Sequence, residues 1–137
     1  MQKTIYPLES EIAKEGTFSG PLAFANGVQV EGGKLLFISG QLAFDERMQI
    51  VGKGDMGAQT RQVLENIKKA LTAAGATFKD IIRVQVFVTD LSDFRAVHDV
   101  RLEYFDPDHL LASTLVQVAG LAHADALIEI DAVAAFE

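Results

Sequence analysis

Between Met56 and Thr89 the spacing of apolar residues changes period, and that change sharply limits what the chain can build. Val63, Leu64, Ile67, Ala70, Leu71 and Ala74 fall on one stripe of a 3.6-residue helix, while Gln59, Arg61, Gln62, Glu65, Lys68 and Lys69 occupy the rest. The helix begins near Asp55, and Gly75 stands where a left-handed residue ends a helix. From Ile81 to Thr89 the period drops to two, with Val84, Val86 and Val88 on one face and Arg83, Gln85 and Phe87 on the other. An amphipathic helix followed by a strand with two unlike faces points to an α+β protein, the helix covering one side of a sheet.

The remaining elements follow from the same patterns. Gly27 to Gln41 reads as two strands around a Gly32-Gly33 turn, a β-hairpin, and Met48 to Gly52 as a further short strand. Ser92 is placed to cap a second helix from Asp93 to about Phe105, with Phe94, Val97, Val100, Leu102 and Phe105 as core contacts and Asp106-Pro107 as its end. Ser113 to Ala119 and Ala126 to Phe136 are the last strands, so the order is ββ(β)αβαββ. With 137 residues, 49% of them hydrophobic, the expectation is a single domain spanning residues 1–137, one mixed sheet carrying both helices on one face.

The other face is the informative one. Leu35, Phe37 and Phe87 share it with Ser39, Gln85 and Glu129. Such a surface is too apolar for free exposure and too polar for an ordinary core, and identical subunits covering it would resolve the conflict.

Composition narrows the function. A net charge of −7 and a pI near 4.9 argue against nucleic acid as a main partner. The absence of cysteine removes disulfides, thiolate metal sites and a cysteine nucleophile. The first sixteen residues mix charges with isolated apolar positions rather than forming a signal-peptide core, and no apolar run approaches a membrane span, so a cytoplasmic protein is expected. His109 and His123 have no partner at a metal-ligand spacing, and neither a phosphate-binding Gly-Lys-Ser/Thr loop nor a Gly-x-Ser-x-Gly elbow occurs.

Four strings carry a family resemblance: Leu-Leu-Phe-Ile-Ser-Gly-Gln at 35–41, Gln-Thr-Arg-Gln-Val-Leu-Glu-Asn-Ile at 59–67, Val-Phe-Val-Thr-Asp-Leu-Ser-Asp-Phe at 86–94, and Ala-Leu-Ile-Glu-Ile-Asp-Ala-Val-Ala at 126–134. Together with the element order, they resemble the YjgF/RidA family, formerly called endoribonuclease L-PSP, from about Phe24 to Phe136. The resemblance implies a chorismate-mutase-like fold and a homotrimer with small-molecule clefts between subunits. It also implies hydrolysis of reactive enamines and imines to carbonyl products and ammonia, with no metal or other cofactor.

The family's Ser-Gly pair matches Ser39-Gly40, and its water-placing glutamate matches Glu129. Its carboxylate-binding arginine aligns with Ser113 in Leu111-Ala-Ser-Thr114, its tyrosine with Phe24, a cysteine or threonine position with Leu115, and an asparagine on the second helix with His98, which is spaced to share a face with Arg101. Independently of the resemblance, Glu129 is a carboxylate on an otherwise apolar strand and must face water, a cleft or a charge. Ser113 and Thr114 can hydrogen-bond a ligand but cannot reproduce the bidentate grip of a guanidinium. Two readings therefore stay open: a deaminase of a divergent branch, with Glu129 orienting water and Phe24, Ser39, Gly40, His98, Ser113, Thr114 and Leu115 around the substrate, or a non-catalytic metabolite-binding trimer. Ribonuclease activity, attached to some relatives, is opposed by the acidic charge.

Overall fold

The computed structural model describes residues 1–7 and 24–137; residues 8–23, which include most of the charged N-terminal stretch read above, lie outside them. Strands β1 (Gln2–Tyr6) and β2 (Gly27–Glu31) form an antiparallel pair. Strands β3 (Lys34–Gln41), β4 (Ile81–Val88), β5 (Ala112–Gln117) and β6 (Ile128–Phe136) form a four-stranded mixed sheet in the order β3-β6-β4-β5. Only β4 and β5 run parallel, and helix α2 (Phe94–Tyr104) provides the crossover that such a pair requires. Helix α1 (Met56–Ala73) joins β3 to β4.

The period change predicted for residues 56–89 is what organises the core. Val63, Leu64, Ile67 and Leu71 of α1 and Val97 and Val100 of α2 pack with Val84, Val86 and Val88 of β4 and Ile128, Ile130, Ala132 and Ala134 of β6. Each fully buried leucine or isoleucine contributes roughly 1.5–3 kcal/mol relative to exposure. Asp55 caps α1 by accepting from Ala58 N at 3.0 Å, and Gly75, at φ +78°, ends it as expected.

Four local expectations are corrected. The Gly32-Gly33 turn exists, both residues at positive φ, but β2 and β3 do not pair as a hairpin. The glycines carry the chain from one ladder to another, because β2 pairs with β1, a strand not recognised in the sequence, and β3 with β6. The expected single sheet is consequently two. Residues 48–52 make only an isolated bridge, Phe44 to Ile50, because Asp45 Oδ1 takes the backbone N–H groups of Arg47 and Gln49 and closes a local loop. Ser92 does not cap α2: its N–H and hydroxyl both donate to Asp90 Oδ1 in a short 3₁₀ turn, and Asp93 is the residue preceding the helix.

Candidate functional site

The face of the sheet away from the helices carries the mixed surface expected. Register places Leu35, Phe37, Val133, Arg83, Asp131, Gln85, Glu129 and Phe87 on it together. Phe37 is 73% exposed and Leu35 54%, so an apolar patch lies open at the β3 end. Towards the centre, the Gln85 amide lies between Asp131 Oδ2 and Arg83 Nη2, at 3.1 and 2.9 Å, and satisfies both when its nitrogen is turned to the carboxylate and its oxygen to the guanidinium. Thr114 stands opposite Gln85 on this face.

At one end of this face the β3–β6 ladder slips. Pairing is regular to Ile38↔Ala132 and resumes at Gln41↔Ile130, leaving Ser39 and Gly40 in the irregularity, both exposed. The half-buried Glu129 side chain lies over Gly40: a Cβ added there would stand 2.3 Å from Glu129 Oε2 and 2.8 Å from its Cδ. Only glycine leaves this space. Gly40 and Glu129 thus lie together, with Ser39 next to them in the irregularity.

The polar residues of the 59–67 string explain how that cluster is held. Gln59, read from the sequence as part of the solvated side of α1, is fully buried. Its Nε2 donates to Gly52 O and Asp125 O, and its Oε1 accepts from Leu127 N at 2.8 Å, fixing the chain two residues before Glu129. Asn66 Nδ2 donates to Leu42 O and Phe44 O, both at 3.0 Å, and Gln62 Nε2 to Phe44 O at 3.2 Å, fixing the chain just after Gly40. An amphipathic helix pattern cannot announce such roles, because the backbone groups served are remote in sequence.

The other expected residues gather elsewhere. Ser113 and Leu115 point to the helix side of β5, opposite Val84 and Val86, while Thr114 points to the open face, so the Ser113-Thr114 pair expected to act together is split by the strand's alternation. Ser113 Oγ accepts from Arg101 Nη2 at 3.0 Å. Arg101 is 4% exposed, and burial pulls its guanidinium down to a pKa of about 10. His98, one turn earlier, is also buried, its ring stacked at 5.9 Å on Phe94. Phe24 precedes Ala25, which bridges Ala112 and donates its N–H to Leu111 O at 2.7 Å, so the chain at Phe24 runs near the start of β5.

One chain therefore presents two clusters on opposite faces of its sheet. Ser39, Gly40 and Glu129 occupy the open face; Ser113, Leu115, His98 and Arg101 occupy the helix side, with Phe24 near the start of β5. Arg101 is the member that motif matching missed. Its signal was its position four residues after Val97, on the stripe that the core claims.

Comparison with known proteins agrees with this architecture. The Endoribonuclease L-PSP family profile matches residues 20–136. A RutC family protein of Pyrococcus horikoshii is 44% identical over 105 residues, covering 77% of this chain and 82% of the relative. The 3-aminoacrylate deaminase RutC of Acinetobacter baylyi is 45% identical over 100 residues, 73% of this chain and 78% of its own length. Among solved structures, the conserved Rid family protein YyfB of Yersinia pestis superposes with a TM-score of 0.84 at 29% identity, covering 99% of this chain and 100% of that one. The chain belongs to the Endoribonuclease L-PSP family, the YjgF/RidA group that its four strings resemble. No helix among the described residues is long and apolar enough to cross a membrane.

Proposed function

We propose that this chain is a single-domain, cytoplasmic enamine/imine deaminase working as a homotrimer, with its clefts formed between subunits. The observation that carries the reading is the Glu129 carboxylate lodged over Gly40 beside Ser39, at the end of an exposed, partly apolar sheet face. An iminium carbon is already electrophilic, so the reaction needs a placed water and a proton acceptor. Water oxygen bonds to the imine carbon while Glu129 takes the proton. The proton then passes to nitrogen, and as the C–N bond breaks the new hydroxyl returns its proton to Glu129, leaving ammonia and a carbonyl product. The close relationship to a protein named 3-aminoacrylate deaminase supports this reaction class.

The exposed Leu35 and Phe37 support assembly, since covering them removes apolar surface from water. Ser113 in place of the expected arginine favours the second reading, ligand binding without turnover. One experiment separates the two. Generating 2-aminoacrylate enzymatically and following ketoacid release should show acceleration by the wild-type protein and a loss of about 10²-fold or more in Glu129→Gln. A Glu129→Gln protein that hydrolyses at the wild-type rate would show the water-placing assignment to be wrong.

A further inference from the structure

Helix α2 ends without the partners that a helix C-terminus needs. The Phe105 N–H closes the last turn on Arg101 O, and among the described residues no hydrogen bond reaches the carbonyls of Leu102, Glu103 or Tyr104. A basic side chain in the last turn often serves such carbonyls, but Arg101, the one basic residue there, is turned to Ser113 Oγ. The negative end of the helix dipole is therefore left without a cation. The residues that bear these carbonyls line a cavity of about 570 Å³, within the range of small-molecule sites.

The rest of the lining has matching chemistry. Phe78, from the 3₁₀ turn Phe78–Asp80, stands with its ring centroid 5.3 Å from that of Tyr104 and 5.4 Å from that of Phe105, and all three residues line the cavity. Burial, and the bond that the Tyr104 hydroxyl gives Glu65 Oε2 at 2.8 Å, push the phenol up to about 12, so it stays neutral. Two carboxylates face one lysine, Lys79. Glu103 has Arg61 Nη2 at 2.8 Å, whereas Asp106 has no lysine or arginine in ion-pair distance: its Oδ1 accepts from Asp108 N at 2.8 Å and its Oδ2 lies 3.9 Å from His109 Nδ1. A ligand suited to these groups is positive, offers N–H donors and carries an apolar body. We propose that this cavity binds a small organic primary amine in its protonated form, the ammonium at the α2 carbonyls and Asp106 and the carbon skeleton against the three rings. An organic anion would meet two carboxylates and the negative helix end. A quaternary ammonium would suit the charge and the rings but brings no donor for the carbonyls. A metal ion finds no cluster of three ligating side chains among the described residues. Ser39, Gly40 and Glu129 do not line this cavity, and the inference does not depend on the proposed reaction.

The test titrates the full chain near neutral pH with three probes, read by calorimetry and by thermal shift: phenethylamine, benzyltrimethylammonium and 3-phenylpropanoate. Phenethylamine should bind and raise the melting temperature, and each of the other two should bind on the order of 10-fold more weakly. Asp106→Asn keeps an oxygen for Asp108 N and removes the charge; it should weaken phenethylamine by about 10-fold or more while the melting temperature of the free protein moves by only a few degrees. Lys79→Gln removes the like charge and should tighten phenethylamine by about twofold to fivefold. Glu129→Gln should bind it as wild type does. No binding of phenethylamine by wild type, or undiminished binding by Asp106→Asn, would overturn the inference. So would benzyltrimethylammonium binding as tightly as phenethylamine, since the carbonyls would then select nothing. Weaker amine binding in Lys79→Gln, or preferred binding of 3-phenylpropanoate, would make the cavity an anion site instead. Loss of phenethylamine binding in Glu129→Gln would place the amine at the Gly40 cluster and refute this site.

Discussion

Gly40→Ala separates position from stability more sharply than any other substitution in the site. The new methyl carbon would stand 2.3 Å from Glu129 Oε2, about 1 Å inside ordinary van der Waals contact. Gly40 has no positive φ, so alanine can adopt its backbone, and the colliding atom is the free end of a flexible side chain. The carboxylate therefore swings away at small cost to the fold. Reduced freedom of the unfolded chain offsets part of that cost, by about 0.4–1 kcal/mol. Placement of the water is another matter. A misplacement of about 1 Å costs on the order of 100-fold in rate, or about 2.7 kcal/mol at 1.36 kcal/mol per decade. Ketoacid release from 2-aminoacrylate should fall by about that factor while the melting temperature moves by only a few degrees. Gly120→Ala, where an added Cβ meets nothing within 4 Å, is the matched control and should change neither quantity. A Gly40→Ala protein with wild-type rate would refute the claim that this glycine exists to seat Glu129. One that loses most of its stability along with its rate would refute the claim that the carboxylate yields freely.

Three further outcomes are expected. Gln59→Leu orphans Leu127 N and the carbonyls of Gly52 and Asp125, and should cost about 2–4 kcal/mol, seen as a lower urea midpoint at unchanged slope. Phe37→Asp places a charge where a 73% exposed ring now stands; native mass should fall towards one chain while the far-ultraviolet circular dichroism spectrum is kept. Arg101→Met removes a buried guanidinium that no carboxylate among the described residues pairs, so the melting temperature should stay level or rise.

The layer architecture was legible because it depends on period alone. Val84, Val86 and Val88 had to share a face, and α1 had to cover them, whatever else the chain did. What escaped reading depends on who pairs with whom. β1 is five residues with no strong apolar signal, and its pairing with β2 dissolves a hairpin that the Gly32-Gly33 turn seemed to guarantee. Gln59 reads as one more polar residue on a helix until the segments at Gly52 and Asp125–Leu127 are brought to it. Arg101 was hidden for the opposite reason: its place on an apolar stripe makes a charge look like an accident of composition. Glu129 and Ser39-Gly40 stand out in the sequence because a carboxylate on an apolar strand and a glycine at a strand end are both locally anomalous.

The alternation of β5 and β6 has a consequence for the site as a whole. Glu129 faces away from the helices and Ser113 faces towards them, with β4 between their strands. No adjustment of side chains brings the two groups to the same small molecule within one copy, because the sheet itself lies between. A ligand touching both must therefore lie where the open face of one copy meets the β5 edge of another. In the proposed assembly, the surface for that meeting is the exposed apolar one that carries Leu35 and Phe37. On the proposed reading, the same pleat that splits the expected residues into two clusters makes assembly a condition of the chemistry, because a single folded chain cannot bring Glu129 and Ser113 to one small molecule.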